Sequence, residues 1–187
     1  INSIPLQVTL FLICTIPFWT SNVIRMVAWI PLLGRNGLVN DLLISSGIIQ
    51  EPVEWLLYSN FSVILALVHL YTLFMIVPIF NSMLRIDKEV IEAAYDAGAS
   101  QFQVITSVII PLCKPGIIIG SIFVITVVMG DFLTIGIMGG QQLASVGKII
   151  NTEMNYLQLP GAAANSVILL VITILVIIVM TKFIDIR

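Results

Sequence analysis

Charged residues are scarce in this chain. They make up 10% of its 187 residues, whereas hydrophobic residues make up 59% and the mean hydropathy is +1.11. This composition leaves too little polar surface to cover a water-soluble globule of this length. The formal net charge of −2 also gives no basic excess for nucleic acid. The scarcity of charge therefore predicts a chain that lies in a lipid bilayer and has no nucleic-acid partner.

Cysteine and histidine are equally sparse. Cys14 and Cys113 fall in or beside apolar stretches, and two thiols are too few for a disulfide framework. We interpret both as small buried hydrophobic residues. The one histidine, His69, lies in an apolar stretch, where a hydrogen bond between helices is favoured over a proton relay. We predict no metal site and no cofactor on this chain.

Long apolar stretches are abundant. Crossing about 30 Å of hydrocarbon takes about 20 mostly apolar residues, and four stretches qualify. They predict an all-α, polytopic bundle of transmembrane helices that forms one domain over residues 1–187. Because the sequence opens inside an apolar stretch, without Met or a basic leader, we expect a fragment of a longer protein. The predicted spans are residues 4–24, 61–81, 109–131 and 161–184.

Two connections between these spans are longer than simple turns. Residues 34–60 mix Gly, Asn and Pro with apolar patches, which favours a short helix near the outer surface. Residues 132–160 contain four glycines and predict an irregular, partly re-entrant segment. Such backbone persists at membrane depth only when it is buried in protein or lines water. This second connection is therefore expected near a path through the membrane.

A polar, helix-prone insert interrupts the apolar pattern at residues 85–111. Asp87 is placed to cap a short helix, and Gly98 can adopt the left-handed conformation that ends one. Ser100 and Gln103 form a capping-box pattern that starts a second helix at once. The insert is therefore expected to contain two helices that meet at a sharp elbow.

Lys and Arg residues are unevenly distributed between the two sides of the bilayer. Five fall on the side of the insert and two on the opposite side. Because positive residues are enriched in cytoplasmic loops, this bias predicts that the insert is cytoplasmic. The five are Arg85, Lys88, Lys114, Lys182 and Arg187, and the two are Arg35 and Lys148.

The insert resembles the cytoplasmic loop by which type I ABC importer permeases dock their ATPase subunits. The family pattern reads Glu-Ala-Ala, three residues, Gly, nine residues and an Ile-x-Leu-Pro ending. Val108 and Ile110 stand in this chain where the family has Ile and Leu. The residues that match the pattern in register are Glu92, Ala93, Ala94, Gly98 and Pro111.

The resemblance implies that solute passage and ATP hydrolysis belong to different subunits. This chain is expected to be a permease subunit in the bacterial inner membrane, without catalytic residues, and to lack the N-terminal spans of the family. ATP and Mg²⁺ would bind to a dimer of ATP-binding cassette ATPases, and a second permease subunit and an extracytoplasmic solute-binding protein would complete the importer. The residues expected to couple this chain to the ATPases are Glu92, Ala93, Ala94, Asp96, Gly98, Ala99 and Pro111.

Three further stretches narrow the resemblance to the permeases of spermidine and putrescine importers and their opine and related relatives. They are PFWTSNVIRMVAW at residues 17–29, LLGRNGLVN at residues 32–40 and GDF at residues 130–132. The resemblance implies a polyamine or a related small organic solute. Sugars, amino acids, metals and anions stay open, because one fold serves many functions.

Asp131 is the key candidate for contact with the solute. A carboxylate at the end of a span is costly unless it faces water, a partner or a substrate, and a cationic amine is such a partner. Alternatively, Asp131 lies at the membrane interface, where it is solvated or caps the following turn, or it forms an ion pair with Arg25. Trp19 and Trp29 could supply cation–π surfaces, although aromatic residues favour membrane interfaces in general. Asn22 lies one turn before Arg25 and is expected to share its face.

Three other functional classes stay open at this point: an ion channel, an intramembrane enzyme and a structural membrane subunit. A channel is expected to show a filter-like repeat or a charged ring, and the sequence shows neither. An intramembrane hydrolase needs paired aspartates, a Ser with a His, or a metal group in its spans, and only Asp131 and His69 are available. A structural subunit predicts no loss of ATPase coupling when Glu92 or Gly98 is changed.

Overall fold

The computed structural model describes residues 19–140 and 143–182, together with residues 9, 12 and 13. Every regular element in this part of the chain is helical, as predicted. A 3₁₀ turn covers Glu54–Leu56, and a π-helical segment covers Ile105–Ile109. The α-helices are α1 (Asn22–Leu33), α2 (Leu38–Ser45), α3 (Asn60–Met83), α4 (Lys88–Asp96), α5 (Gln101–Val104), α6 (Ile110–Gly130), α7 (Leu133–Met138), α8 (Val146–Asn155) and α9 (Leu159–Thr181).

Within the described residues, three helical stretches are long and apolar enough to cross a membrane: Glu54–Met83, Gln101–Gly130 and Leu159–Thr181. They cover the predicted span at 61–81, the span at 109–131 except its last residue and most of the span at 161–184, which confirms that these three stretches form long apolar helices. The predicted span at 4–24 and Cys14 fall mainly or wholly outside the described residues.

The chain divides into two compact units. The first draws its described residues from Ile1–Leu73 and Val128–Leu169, and the second from Phe74–Val127 and Leu170–Arg187. In the first unit, Met26, Ala66 and Met138 are fully buried.

In the second unit, α3 and α6 pack closely through two glycines. A Cβ on Gly116 would lie 2.5 Å from the carbonyl oxygen of Pro78, and one on Gly120 would lie 2.8 Å from the sulfur of Met75. At Gly116 the obstacle is a backbone carbonyl, so a larger residue there would push the two helices apart.

Residues 34–60 contain the short helix that the sequence predicts, α2. Its buried Asn40 fastens the connection: the side-chain amide donates to the carbonyl oxygens of Gly34 and Val53, both at 3.1 Å, and accepts from the Val53 N–H at 2.8 Å. A single amide therefore satisfies backbone groups on both sides of α2, which fixes the path of this connection.

The prediction of an irregular segment at 132–160 is wrong for most of its length, because α7 and α8 lie there. Two polar side chains start these helices. Asp131 accepts the Thr134 N–H at 2.9 Å, and Ser145 accepts the Lys148 N–H at 3.1 Å. Side-chain caps of this kind satisfy backbone donors that have no partner inside the helix. The re-entrant placement stays a prediction.

Candidate functional sites

The first candidate site is the helical elbow formed by residues 87–111. Its first helix, α4, begins after Asp87, whose backbone has the extended geometry of an N-cap residue. The predicted side-chain cap is wrong, because the Asp87 carboxylate makes no capping hydrogen bond. Asp87 is exposed, so water can satisfy its carboxylate instead, while its charge still lies at the positive end of the helix dipole.

The turn of the elbow is built on Gly98. Its φ of +83° lies in the left-handed region, as predicted. The Gly98 N–H donates to the Tyr95 carbonyl at 2.8 Å, and the Ala99 N–H donates to the Ala94 carbonyl at 3.1 Å. This pair of bonds is a Schellman motif, which closes the end of α4 and reverses the chain within two residues.

The second arm of the elbow starts at once, as predicted. The Gln103 N–H donates to the Ser100 hydroxyl at 3.4 Å, and the Ser100 N–H donates to the Gln103 side chain at 2.8 Å, which completes a capping box. From Gln101 the helix continues without a break to Gly130. The elbow is therefore joined directly to a membrane-spanning helix.

A π-helical segment lies at the point where the elbow meets the span. In Ile105–Ile109 the backbone is wider than in an α-helix, and the Ile110 N–H donates to the Ile105 carbonyl, five residues earlier. Pro111 follows directly. Proline lacks an N–H and clashes with the carbonyl four residues before it in an α-helix, and a π turn relieves both problems by changing the hydrogen-bond register.

Most of the predicted coupling residues are exposed. α4 buries none of its residues. Glu92, Ala93 and Asp96 are exposed on it, and Glu92 and Asp96 lie one turn apart. Of the other four predicted residues, Gly98 and Pro111 are exposed, whereas Ala94 and Ala99 are half-buried. The charged face of α4 is therefore accessible, and its role in docking stays a prediction.

The second candidate site is a carboxylate cluster around Asp131 in the first unit. The Tyr71 hydroxyl, from α3, donates to Asp131 Oδ2 at 2.7 Å, and the Thr134 hydroxyl donates to the same oxygen at 2.5 Å. The Thr134 N–H donates to Oδ1. The alternative that Asp131 caps the following turn is thus confirmed. The Ser145 hydroxyl donates to the Asp131 carbonyl at 3.2 Å and ties the start of α8 to the cluster.

The other residues predicted for the solute pathway lie on or before α1. Arg25 is buried and donates a hydrogen bond to Asn22, so these two residues share a face as predicted. The ion pair of Arg25 with Asp131 stays a prediction, since the hydrogen bonds described for Asp131 come from Tyr71 and Thr134. Trp19 precedes α1 and is 81% exposed.

Trp29 contacts His69 rather than Asp131. Its indole Nε1–H donates to His69 Nδ1 at 3.2 Å, and the two rings meet edge to face with centroids 5.6 Å apart. This bond confirms that His69 forms a hydrogen bond between helices, here α3 and α1. No group of three or more His, Cys, Asp or Glu residues able to hold a metal occurs in the part of the chain that the structure describes.

Tyr71 and Thr134 are the members of the cluster that the sequence analysis missed. Thr134 had a local signal, because an Asp three residues before a Thr is a common helix start. Tyr71 had none, since 60 residues separate it from Asp131.

The chain is similar to members of one protein family. The profile described as "Binding-protein-dependent transport system inner membrane component" matches residues 1–186. The spermidine/putrescine transport system permease protein PotB of Haemophilus influenzae is 39% identical over 144 residues, which cover 77% of this chain and 50% of that protein. The protein of the same name from Escherichia coli K12 is 34% identical over 164 residues, covering 87% and 59%.

A more distant relative is the inner membrane ABC transporter permease protein YdcU of Escherichia coli K12. It is 27% identical over 162 residues, which cover 80% of this chain and 51% of that protein. The chain spans between 50% and 59% of the length of these three curated relatives.

Proposed function

Since the chain belongs to the family of binding-protein-dependent transport system inner membrane components, we propose that its protein is the permease subunit of an ATP-driven importer for polyamines. The family and the long apolar helices make it a multi-pass protein of the bacterial inner membrane. Its residues 1–187 form a single transmembrane permease domain in this proposal. Residues 85–111 form its cytoplasmic coupling loop.

The permease works with four kinds of partner in this proposal. A dimer of ATP-binding cassette ATPases binds ATP and Mg²⁺ and hydrolyses the nucleotide, so this chain needs no catalytic group. A second permease subunit forms the other half of the pathway, and an extracytoplasmic binding protein delivers the solute. The bilayer surrounds the spans.

The single observation that carries the proposal is the construction of the elbow. α4 is accessible along its length, and the Schellman motif and the capping box hold it at a fixed angle to the next helix. That helix runs for 30 residues into a membrane span. A capped elbow joined to a continuous helix is suited to carry a movement of the ATPases into the spans, where the cavity switches between outward-facing and inward-facing states.

The names of the relatives and the Asp131 carboxylate support a cationic solute. Two of the relatives are named as spermidine/putrescine permeases. In the proposal, Asp131 contacts an ammonium group of the solute, while Trp19 and Trp29 offer aromatic faces. Asn22 and Arg25 line the same route. Solutes of other classes are compared with polyamines in the uptake experiment below.

The proposal is tested with the full-length protein, reconstituted in liposomes with its partner subunits and binding protein. Radiolabelled spermidine and putrescine are expected to accumulate only with ATP inside, whereas a sugar, a neutral amino acid and an inorganic anion are not. Glu92→Ala should lower uptake about tenfold, the effect of losing a hydrogen bond to a charged group, and should lower the ATP hydrolysis stimulated by the loaded binding protein.

Glu51→Ala is the matched control, because Glu51 is an exposed carboxylate outside the coupling loop, and its uptake should equal that of the unaltered protein. Accumulation of none of the solutes would refute the importer. Uptake of a solute other than a polyamine would refute only the proposed solute class. Equal coupling in the Glu92→Ala and unaltered complexes would refute the role of the elbow.

A further inference from the structure

The Asp131 carboxylate is held by the hydroxyl groups of two buried residues. Tyr71 is 8% exposed and Thr134 is 1% exposed. Both hydroxyls converge on Oδ2, at 2.7 and 2.5 Å, and the Thr134 N–H meets Oδ1 at 2.9 Å. With contacts on both oxygens, the carboxylate cannot rotate without breaking a hydrogen bond. The cluster therefore fixes the orientation of Asp131.

The hydrogen-bonding capacity of this carboxylate is not exhausted. An ionised carboxylate accepts about four hydrogen bonds, two on each oxygen. Among the described residues, Oδ2 accepts from Tyr71 and Thr134, whereas Oδ1 accepts only from the Thr134 N–H. One acceptor position on Oδ1 is left, and its direction is set by the other three bonds.

The charge of the carboxylate is not neutralised by these donors either. Two hydroxyls and one backbone amide are neutral groups, so they orient the negative charge without cancelling it. Neutral donors also hold a carboxylate less strongly than a fixed cation does. A mobile cation that brings an N–H donor can therefore add to the cluster without displacing any member.

We propose that Tyr71 and Thr134 are positioning residues that hold Asp131 so that Oδ1 receives an N–H of a primary or secondary ammonium group of the solute. This inference rests on the proposed function, in which Asp131 contacts the solute. Tyr71 and Thr134 need not touch the solute themselves. They act by reducing the number of orientations that Asp131 must give up on binding.

A double-mutant cycle tests whether Tyr71 acts through Asp131. Uptake of radiolabelled spermidine is measured in liposomes against increasing concentrations of loaded binding protein. Tyr71→Phe should lower the maximal uptake rate about tenfold, as expected for one hydrogen bond to a charged group, and should leave the half-saturating concentration of binding protein unchanged. Asp131→Asn should lower the rate further. Adding Tyr71→Phe to Asp131→Asn should have no further effect, because residues that act as a unit are not additive.

Thr134 supplies a second test that does not depend on Tyr71. Thr134→Ser keeps the hydroxyl and should retain most of the uptake, whereas Thr134→Val has nearly the same shape without it and should lose as much as Tyr71→Phe. Tyr156→Phe is the matched control for Tyr71→Phe, because Tyr156 is 74% exposed. The yield of assembled complex is measured for every variant, so that rates are compared per complex.

Additive effects of Tyr71→Phe and Asp131→Asn would overturn the proposal, as would equal uptake by the Thr134→Ser and Thr134→Val complexes. A changed half-saturating concentration of binding protein in Tyr71→Phe would assign the residue to docking instead. Failure of the proposed function itself looks different, because the unaltered complex would then take up no spermidine.

Discussion

Gly98 determines the geometry of the elbow more directly than any charged residue near it. Its φ of +83° is unfavourable for residues with a Cβ, but a Cβ there would meet nothing within 4 Å. The cost of substitution is therefore conformational, about 1–2 kcal/mol for an ordinary residue and less for Asn. ATP-driven uptake should be highest in the unaltered protein and should decrease from Gly98→Asn through Gly98→Ala to Gly98→Val. The Val variant is expected to be lowest because β-branching adds to the strain.

Gly47 is a matched control for this series. Its φ is +73° and its surroundings are equally open, but it lies outside the coupling loop. Gly47→Val should therefore carry a similar backbone cost without reducing the solute transported per ATP hydrolysed. Equal losses at Gly47 and Gly98 would mean that strain alone, and not the elbow, explains the effect.

Gly116 is limited by space rather than by backbone conformation. A methyl group there would press on the Pro78 carbonyl and on the Ser82 side chain, and the carbonyl cannot rotate away. Gly116→Ala should destabilise the protein by about 1–3 kcal/mol, the range for overpacking, seen as a lower melting temperature in detergent. Gly136→Ala, inside a helix with nothing within 4 Å, should leave the melting temperature unchanged or raise it. The reverse order would show that α3 and α6 do not pack as described.

At the scale of helices, local signals were read correctly where a few neighbouring residues decide the outcome. The left-handed Gly98 and the capping box of Ser100 and Gln103 depend on contacts within six residues, so the sequence could predict them. The segment at 132–160 was misjudged because its glycines suggested irregular backbone, whereas the caps at Asp131 and Ser145 outweigh them.

The carboxylate cluster was only half predictable. Asp131 is conspicuous as a charge at the end of an apolar span, but its partner Tyr71 comes from another helix, and no spacing rule connects them. The same holds for Trp29 and His69, which lie 40 residues apart. Partners across helices depend on how the helices pack, which local pattern does not encode.

The π-helical segment gives a prediction at the scale of one helix. Such a segment holds one more residue than the α-helix that could replace it. Deleting Ser107, which is exposed, should therefore convert Ile105–Ile109 to α-helix and keep both flanks in register, with a kink at Pro111, which then lies inside an α-helix. Deleting Ile118, between the packed glycines Gly116 and Gly120, should turn the flanks by about 100° relative to one another.

The two deletions are compared by the yield and melting temperature of the purified full-length protein. We expect the Ser107 deletion to remain folded and the Ile118 deletion to be lost. Loss of both proteins would contradict the assignment of an extra residue to the π segment, while survival of both would contradict the close packing of α6.

At the scale of the whole molecule, the proposed mechanism depends on which side of the membrane each connection faces. The two positive residues that the sequence predicts on the opposite side from the elbow have local acceptors. Lys148 donates to the carbonyl oxygens of Gly140 and Leu143 at 2.7 and 2.8 Å, and Arg35 lies 3.1 Å from the Glu54 carboxylate. These contacts do not decide the side of the membrane, so the cytoplasmic elbow stays a prediction from the distribution of Lys and Arg.

Cysteine labelling tests this orientation in cells. In a full-length protein with every native cysteine replaced by Ala, Cys14 and Cys113 among them, the Glu51→Cys and Asp96→Cys variants each carry one introduced thiol at a position that is exposed. A membrane-impermeant maleimide should label Glu51→Cys in spheroplasts, and should label Asp96→Cys only after the inner membrane is broken, because a charged reagent does not cross hydrocarbon. Labelling of Asp96→Cys from outside would place the elbow beyond the reach of any cytoplasmic ATPase, and the proposed coupling would then have to be abandoned.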